Sequence, residues 1–382
     1  MDCLEILKQL ISFETVTPED NGVMDYIEKL LISLGFKVEI IEFSEQGTLS
    51  VKNLYAYYGN KDNNLCFAGH VDVVPVGDND AWYSNPFQAY IKDNKIYGRG
   101  VVDMKGAIAC WIDAVSRIIS DNPDIGLSFL LTGDEEGPAI NGTKKCISWL
   151  NDNNHIIHNC VVGEPTNVNE MGNMVKVGRR GSVNFTLKVI GKQGHVAYPE
   201  HANNPISASI KFLDSLNNYI FDKGNEYFDP TNLEITTIDV GNITENIIPA
   251  NILIKFNIRF NNEYNSDRLI DIINNLIAEN LNCEYELLHR VSGESFLSNN
   301  KKLASLMVSA IDEVSGKEAV LSTTGGTSDA RFIKDICPVI EYGLINNTAH
   351  QVNEHVDIAS LYELRDTYFS FMILFYKKVK KV

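Results

Sequence analysis

The sequence lacks any thiol pattern. Its seven cysteines, Cys3, Cys66, Cys110, Cys146, Cys160, Cys283 and Cys337, are scattered, odd in number and never spaced CxxC. That excludes a cysteine zinc site and a paired disulfide framework, and the thiols are expected as reduced core residues. Positive charge is also scarce: 33 Lys and Arg stand against 50 Asp and Glu, a formal net charge of −17. A surface of that sign repels polyanions, so nucleic acid and anionic membranes are excluded as general partners, and an anionic substrate would need a local basic pocket. The main basic run, "YKKVKKV" at residues 376–382, reads as a solvated helix end. No apolar run reaches membrane-spanning length. The start, "MDCLEILKQLISF", carries Asp2 and Glu5 at helical periodicity in place of a basic signal-peptide head. The expectation is a soluble cytoplasmic protein without repeats or low-complexity linkers.

What is present is an ordinary globular composition, 44% hydrophobic and 22% charged over 382 residues, enough for two or three domains of ~150 residues each. Helical spacing in "MDYIEKLLISLG" ends at Gly35, and the strand-like runs "KVEIIEF", "NLYAYYG", "NLCFAG", "LSFLLTG" and "CVVGE" follow. The helical stretch "MKGAIACWIDAVSRIIS" separates two of them, which predicts an α/β sheet, mixed but largely parallel, flanked by helices. Residues 181–291 have a different rhythm, strand, helix, strand, strand, helix, strand, the order of a ferredoxin-like α+β sandwich. This predicts an inserted domain at 181–291 within a domain made of 1–180 and 292–382.

Candidate ligands recur at strand ends. "LCFAG" runs into His70 and Asp72, "LSFLLTG" into Asp134, Glu135 and Glu136, "CVVG" into Glu164, and "VIEYG" is followed by a loop reaching His350. Open α/β sheets bind ligands beyond the carboxyl ends of their strands, where these side chains would converge. Asp103, in "YGRGVVDMKGA", sits where a loop enters a helix, and taken alone it reads as a cap. Three adjacent carboxylates likewise read alone as a solvated acidic turn. Crowded carboxylates raise one another's pKa unless cations compensate, and two imidazoles with several carboxylates and no thiolate suit zinc, cobalt or manganese. A glycine-rich nucleotide turn at "YGRGVVDMKG" is disfavoured, because the third glycine is missing and Asp103 would face the phosphates.

The strings "GHVDVVPVGD", "YGRGVVDMKGA", "TGDEEG", "VGEPT", "GKQGHVAYPE" and "GGTSDARF" resemble the co-catalytic di-zinc aminoacylase and glutamate carboxypeptidase family of amidohydrolases, in order and over nearly the whole chain. The resemblance implies two zinc ions per subunit, with cobalt or manganese as substitutes. Asp103 would bridge them, His70 and Glu164 would complete one site, and Glu136 and His350 the other. It further implies Glu135 as general base, Asp72 as the carboxylate that orients His70, a cis peptide after Asp103, and His195 as oxyanion donor. His195 would act from an inserted dimerisation domain, across a homodimer; His201 has no such match and reads as a surface residue. For the substrate, Arg179, Arg180, Tyr198, Asn246, Arg259, Gly326, Thr327, Ser328 and Asn346 match the family's contact segments. Thr324 in "STTGGTSD" stands where another glycine is expected, and "LINNTAH" is a looser version of the usual loop. The implied reaction is hydrolysis of N-succinyl-LL-2,6-diaminopimelate, a small anionic molecule of lysine and diaminopimelate biosynthesis. Acetylornithine or another N-acyl amino acid is the alternative substrate.

Overall fold

A computed structural model describes residues 1–121, 125–298 and 300–379 and divides the chain into two compact units. The first comprises Met1–Val177, Ser298–Ser322 and Ser328–Val382. Its eight-stranded sheet has the order Lys37–Phe43, Val51–Gly59, Gly126–Thr132, Asn64–His70, Asn159–Val162, Val339–Glu341, Met174–Lys176, Val320–Ser322. The centre is parallel: Asn64–His70 runs with both Gly126–Thr132 and Asn159–Val162, and the latter with Val339–Glu341. Lys37–Phe43 and Val51–Gly59 form an antiparallel margin.

The two central strands "NLCFAGH" and "GLSFLLT" are buried at every position. That is why they read as continuous apolar runs instead of alternating ones. Trp111, on the helix Gly106–Asp121, stacks on Phe67 of the central strand at 4.8 Å, and Tyr368 of the final helix Ile358–Val379 meets Trp111 edge-on at 4.9 Å. Because neighbouring strands here are parallel, the segments after His70, Thr132, Val162 and Glu341 all leave from one edge of the sheet. Of the basic C-terminal run, Lys380, Lys381 and Val382 lie outside the described residues. Among the described residues no helix is long and apolar enough to cross a membrane. All seven cysteines are free, and all but Cys283 are buried.

The second unit is Gly178–Leu297 with Thr323–Thr327. Its antiparallel sheet has the order Asn232–Asp239, Asn251–Phe260, Gly181–Ile190, Glu284–Gly293, and the helices Pro205–Asn217 and Ser266–Asn280 complete the ferredoxin-like order. Burial alternates along Gly181–Ile190 and Asn251–Phe260, so Val183, Phe185, Leu187, Ile254, Phe256 and Ile258 share one face with Phe212, Leu269 and Ile273 of the helices. Phe185 and Phe256 stack at 4.9 Å, and truncating Phe256 to alanine would cost ~3–5 kcal/mol. The unit reaches beyond the expected 181–291, because Gly178–Arg179 pairs with Phe296–Leu297. The return segment is tied in as well: the Thr323 hydroxyl donates to the Tyr227 carbonyl, and Arg179 Nη1 donates to the Gly326 carbonyl at 3.1 Å.

Candidate metal centre

His70 closes its strand with Nδ1 2.9 Å from the Asp72 backbone carbonyl. A carbonyl only accepts, so Nδ1 carries a proton and Nε2 is the nitrogen left to bind a cation once its own proton is displaced. Nε2 faces Asp103 Oδ1 at 3.1 Å and Glu164 Oε1 at 3.6 Å. The Asp72 carboxylate stands farther from Nδ1, at 3.6 Å, and accepts the backbone N–H groups of Glu135 at 3.3 Å and Glu136 at 3.0 Å. The carbonyl of Asp72, more than its carboxylate, therefore sets the imidazole.

The other oxygen of Asp103, Oδ2, lies 3.3 Å from His350 Nε2, and the same nitrogen lies 2.7 Å from Glu136 Oε1. The Asp103–Met104 peptide is cis. Ligand atoms of His70, Asp103 and Glu164 all fall within 4.8 Å of one another, and so do those of Asp103, Glu136 and His350. Asp103 belongs to both sets. His70, Glu135 and Glu136 form a third, so distance alone does not separate a ligand from a base at Glu135.

The three adjacent carboxylates do different things. Asp134 is buried and accepts the N–H groups of Ala139, Ile140 and Asn141 at 3.2, 2.8 and 2.8 Å, which closes the turn. Glu135 and Glu136 are left half-buried beside the histidines.

Electrostatics show what the cluster needs. Burial opposes the His70 imidazolium, yet the hydrogen bond to Asp103 and the charges of Glu164, Asp103 and Glu135 hold its pKa well above the usual value. Hydrogen bonds to Asp103 and Glu136 push His350 up to about 10. Burial would raise Asp103, but both histidines pull it well below the carboxylate range. Burial lifts Glu135 to about 8 against the pull of His70, with Asp329, Glu136 and Asp103 adding to the rise. Burial also lifts Asp72 to about 6, against His70 and the two N–H donors. Protons on imidazoles and on Glu135 thus supply the missing positive charge. Two inward-facing Nε2 atoms, one of them with its Nδ1–H anchored, and a carboxylate common to two donor sets fit a pair of divalent cations.

The remaining expected site residues are distributed over both units. In the first, Ser328 is fully buried and donates its hydroxyl to Glu341 at 2.7 Å. Asn346 is exposed, and its N–H donates to the Asn167 carbonyl. In the second, His195 Nδ1 accepts the Ala197 N–H at 3.0 Å, which places the ring proton on Nε2. Val196 N–H donates to the Asn246 carbonyl and Tyr198 N–H to that of His195, so His195, Tyr198 and Asn246 share one exposed stretch. His201 is exposed. Arg180 donates to Asn232 at 2.9 Å, its buried Nε has no partner, and its charge together with burial lowers the pKa of Arg259. No acidic side chain pairs with either guanidinium among the described residues. Arg179 is buried on the Gly326 carbonyl, in the segment that also carries Thr327.

Sequence reasoning missed a buried ion pair behind Asp103, Arg99 Nη1 to Glu354 Oε2 at 2.8 Å. The arginine lies between glycines in "YGRGVVD" and the glutamate four residues after His350, with nothing local in the sequence to link them.

Residues 66–373 match the model of peptidase family M20/M25/M40. A succinyl-diaminopimelate desuccinylase from Ehrlichia canis (strain Jake) is 48% identical over 98% of this chain and 99% of its own. An M20 family metallo-carboxypeptidase from Sulfolobus solfataricus superposes with a TM-score of 0.81 at 18% identity, over 98% of this chain and 99% of that one. A dinuclear metal binding peptidase of the M20 family from Bacillus subtilis does so with a TM-score of 0.69 at 13% identity, over 97% of each. The chain belongs to peptidase family M20/M25/M40.

Proposed function

We propose that this protein hydrolyses N-succinyl-LL-2,6-diaminopimelate to succinate and LL-2,6-diaminopimelate. The observation that carries the reading is 48% identity, over 98% of the chain, to a protein named for that activity. The donor geometry supports a metal-assisted amide hydrolysis. His70, Asp103 and Glu164 would hold one zinc ion and Asp103, Glu136 and His350 a second, and cobalt or manganese suits the same donors. Bound there, the ions supply Lewis acidity and make a water acidic near neutral pH.

The chain's own groups do the rest. Glu135, which stands beside both donor sets, takes the proton of the attacking water and returns it to the departing amine. His195 donates from Nε2 to the developing oxyanion. Arg180 and Arg259, which no acidic side chain pairs among the described residues, bind acid groups of the substrate. Tyr198, Asn246, Gly326, Thr327 and Asn346 complete the substrate contacts, with Arg179 holding Gly326 in place.

The second unit serves as dimerisation and lid domain of a homodimer. Its strand Glu284–Gly293 lies at an edge of the four-stranded sheet, and a sheet edge can pair with a second copy of the chain. The test is succinate release from the succinylated substrate before and after chelation. Release that stops with metal removal and returns with zinc supports the reading; a chelated protein of full activity overturns it.

A further inference from the structure

Arg99 and Glu354 are both fully buried, 1% and 0% exposed, and lie outside every donor set described above. All acceptor positions of the Glu354 carboxylate are used. Oε1 accepts the N–H of Val102 at 2.8 Å and of Asp103 at 3.3 Å. Oε2 accepts the N–H of Gly100 at 3.0 Å and Arg99 Nη1 at 2.8 Å. Arg99 continues the connection: Nη1 also donates to the Gln351 carbonyl, next to His350, and Nη2 to the Pro75 carbonyl, three residues past Asp72, each at 3.1 Å. The backbone of the Asp103 loop departs from helical geometry, with Gly100 at φ +81° and Asp103 at φ −122°, so helical hydrogen bonds do not hold those N–H groups. A carboxylate does.

We infer that Glu354, held by Arg99, is the positioning residue of the metal centre. It clamps the backbone that carries Asp103 so that the two oxygens of Asp103 face His70 and His350 together. The inference rests on the metal-centre reading. Its consequence is particular, because Asp103 belongs to both donor sets: loosening it must weaken both metals together. Loss of Glu164 or of His350 weakens only one. A pair that merely stabilised the fold would lower the melting temperature and leave both affinities as they were in the protein still folded.

The test is zinc titration of metal-stripped wild type, Glu354→Gln and His350→Ala by calorimetry at 20 °C, with the visible spectrum of cobalt-loaded samples as a second readout. The amide of Glu354→Gln is the same size but turns an N–H₂ group toward two donors. Both of its zinc affinities are expected to fall about 10- to 100-fold, the usual loss when a partner of a metal ligand is removed, with shifted cobalt bands. His350→Ala should lose one affinity only. If wild type binds two ions and Glu354→Gln binds both as tightly, the clamp is refuted while the metal centre stands. A wild type that binds no metal instead removes the reading beneath it, and the clamp with it. Should Glu354→Gln fail to fold, Arg99→Lys decides: it keeps the charge but cannot span Glu354, Gln351 and Pro75. Paired weakening there supports the clamp, and wild-type affinities overturn it.

Discussion

The Asp72 carboxylate accepts the backbone N–H of Glu136 at 3.0 Å, and through that bond and its neighbour at Glu135 it holds the turn bearing both glutamates. Asp72→Asn keeps the backbone carbonyl that fixes His70 but offers N–H₂ to one of the two donors. The zinc held with Glu136 should weaken about 10- to 100-fold, while the zinc held with His70 and Glu164 stays close to wild type. Titration marked by His350→Ala and Glu164→Gln assigns the two phases. Selective loss of the His70 zinc would show that the carboxylate acts through the imidazole.

Glu135→Gln should keep both metals and lose turnover by about 10²- to 10⁴-fold, the range for a general acid or base. Elemental analysis decides the residue's role, since Glu135 also falls in a donor set with His70 and Glu136. A variant that holds less zinc makes Glu135 a ligand.

Metal binding should tighten with pH. In the metal-free protein His350 titrates at about 10 and His70 well above its usual value, so at pH 7 both imidazoles carry protons that a cation must displace. Affinity is then lowest in acid and rises toward pH 9 by about tenfold per unit for each proton displaced. Competition with a chromophoric chelator at pH 6, 7, 8 and 9 measures this, and a flat profile contradicts the assignment of the histidines as ligands.

For His195, homodimers of Glu135→Ala and of His195→Ala should each be nearly inactive, whereas a heterodimer of the two should recover activity. One of its sites would combine an intact Glu135 with an intact His195 from the other chain. A purified, differentially tagged heterodimer no more active than its parents places His195 within its own chain.

Which of these features could be read from sequence follows from range and regularity. His70, Glu136 and Glu164 were legible because parallel strands deliver their carboxyl ends to one edge, and long apolar runs such as "LSFLLT" announce such strands. Strands of three residues, Met174–Lys176 and Val320–Ser322, have no periodicity to detect and were missed. The return Thr323–Thr327 was invisible for the same reason. The separate duty of Asp134 depends on N–H groups five to seven residues later in an irregular turn. Glu354 was illegible because its partner Arg99 is 255 positions away, and a buried pair of that span leaves no local pattern. Ser328 matched a substrate segment, but only the packing of its hydroxyl against Glu341 shows that it faces inward.

Recognition of the succinyl group is measured by the ratio of kcat/KM for N-succinyl-LL-2,6-diaminopimelate to that for N-acetylornithine, in wild type and in Arg180→Ala. A smaller acyl group without the distal carboxylate leaves the guanidinium charge of Arg180 and Arg259 unanswered. Wild type should strongly favour the succinylated substrate. Arg180→Ala should lose about 10- to 100-fold on it, the range for a hydrogen bond to a charged group, and change little on the acetylated one. Equal specificity constants for the two substrates in wild type would show that the protein does not read the succinyl group.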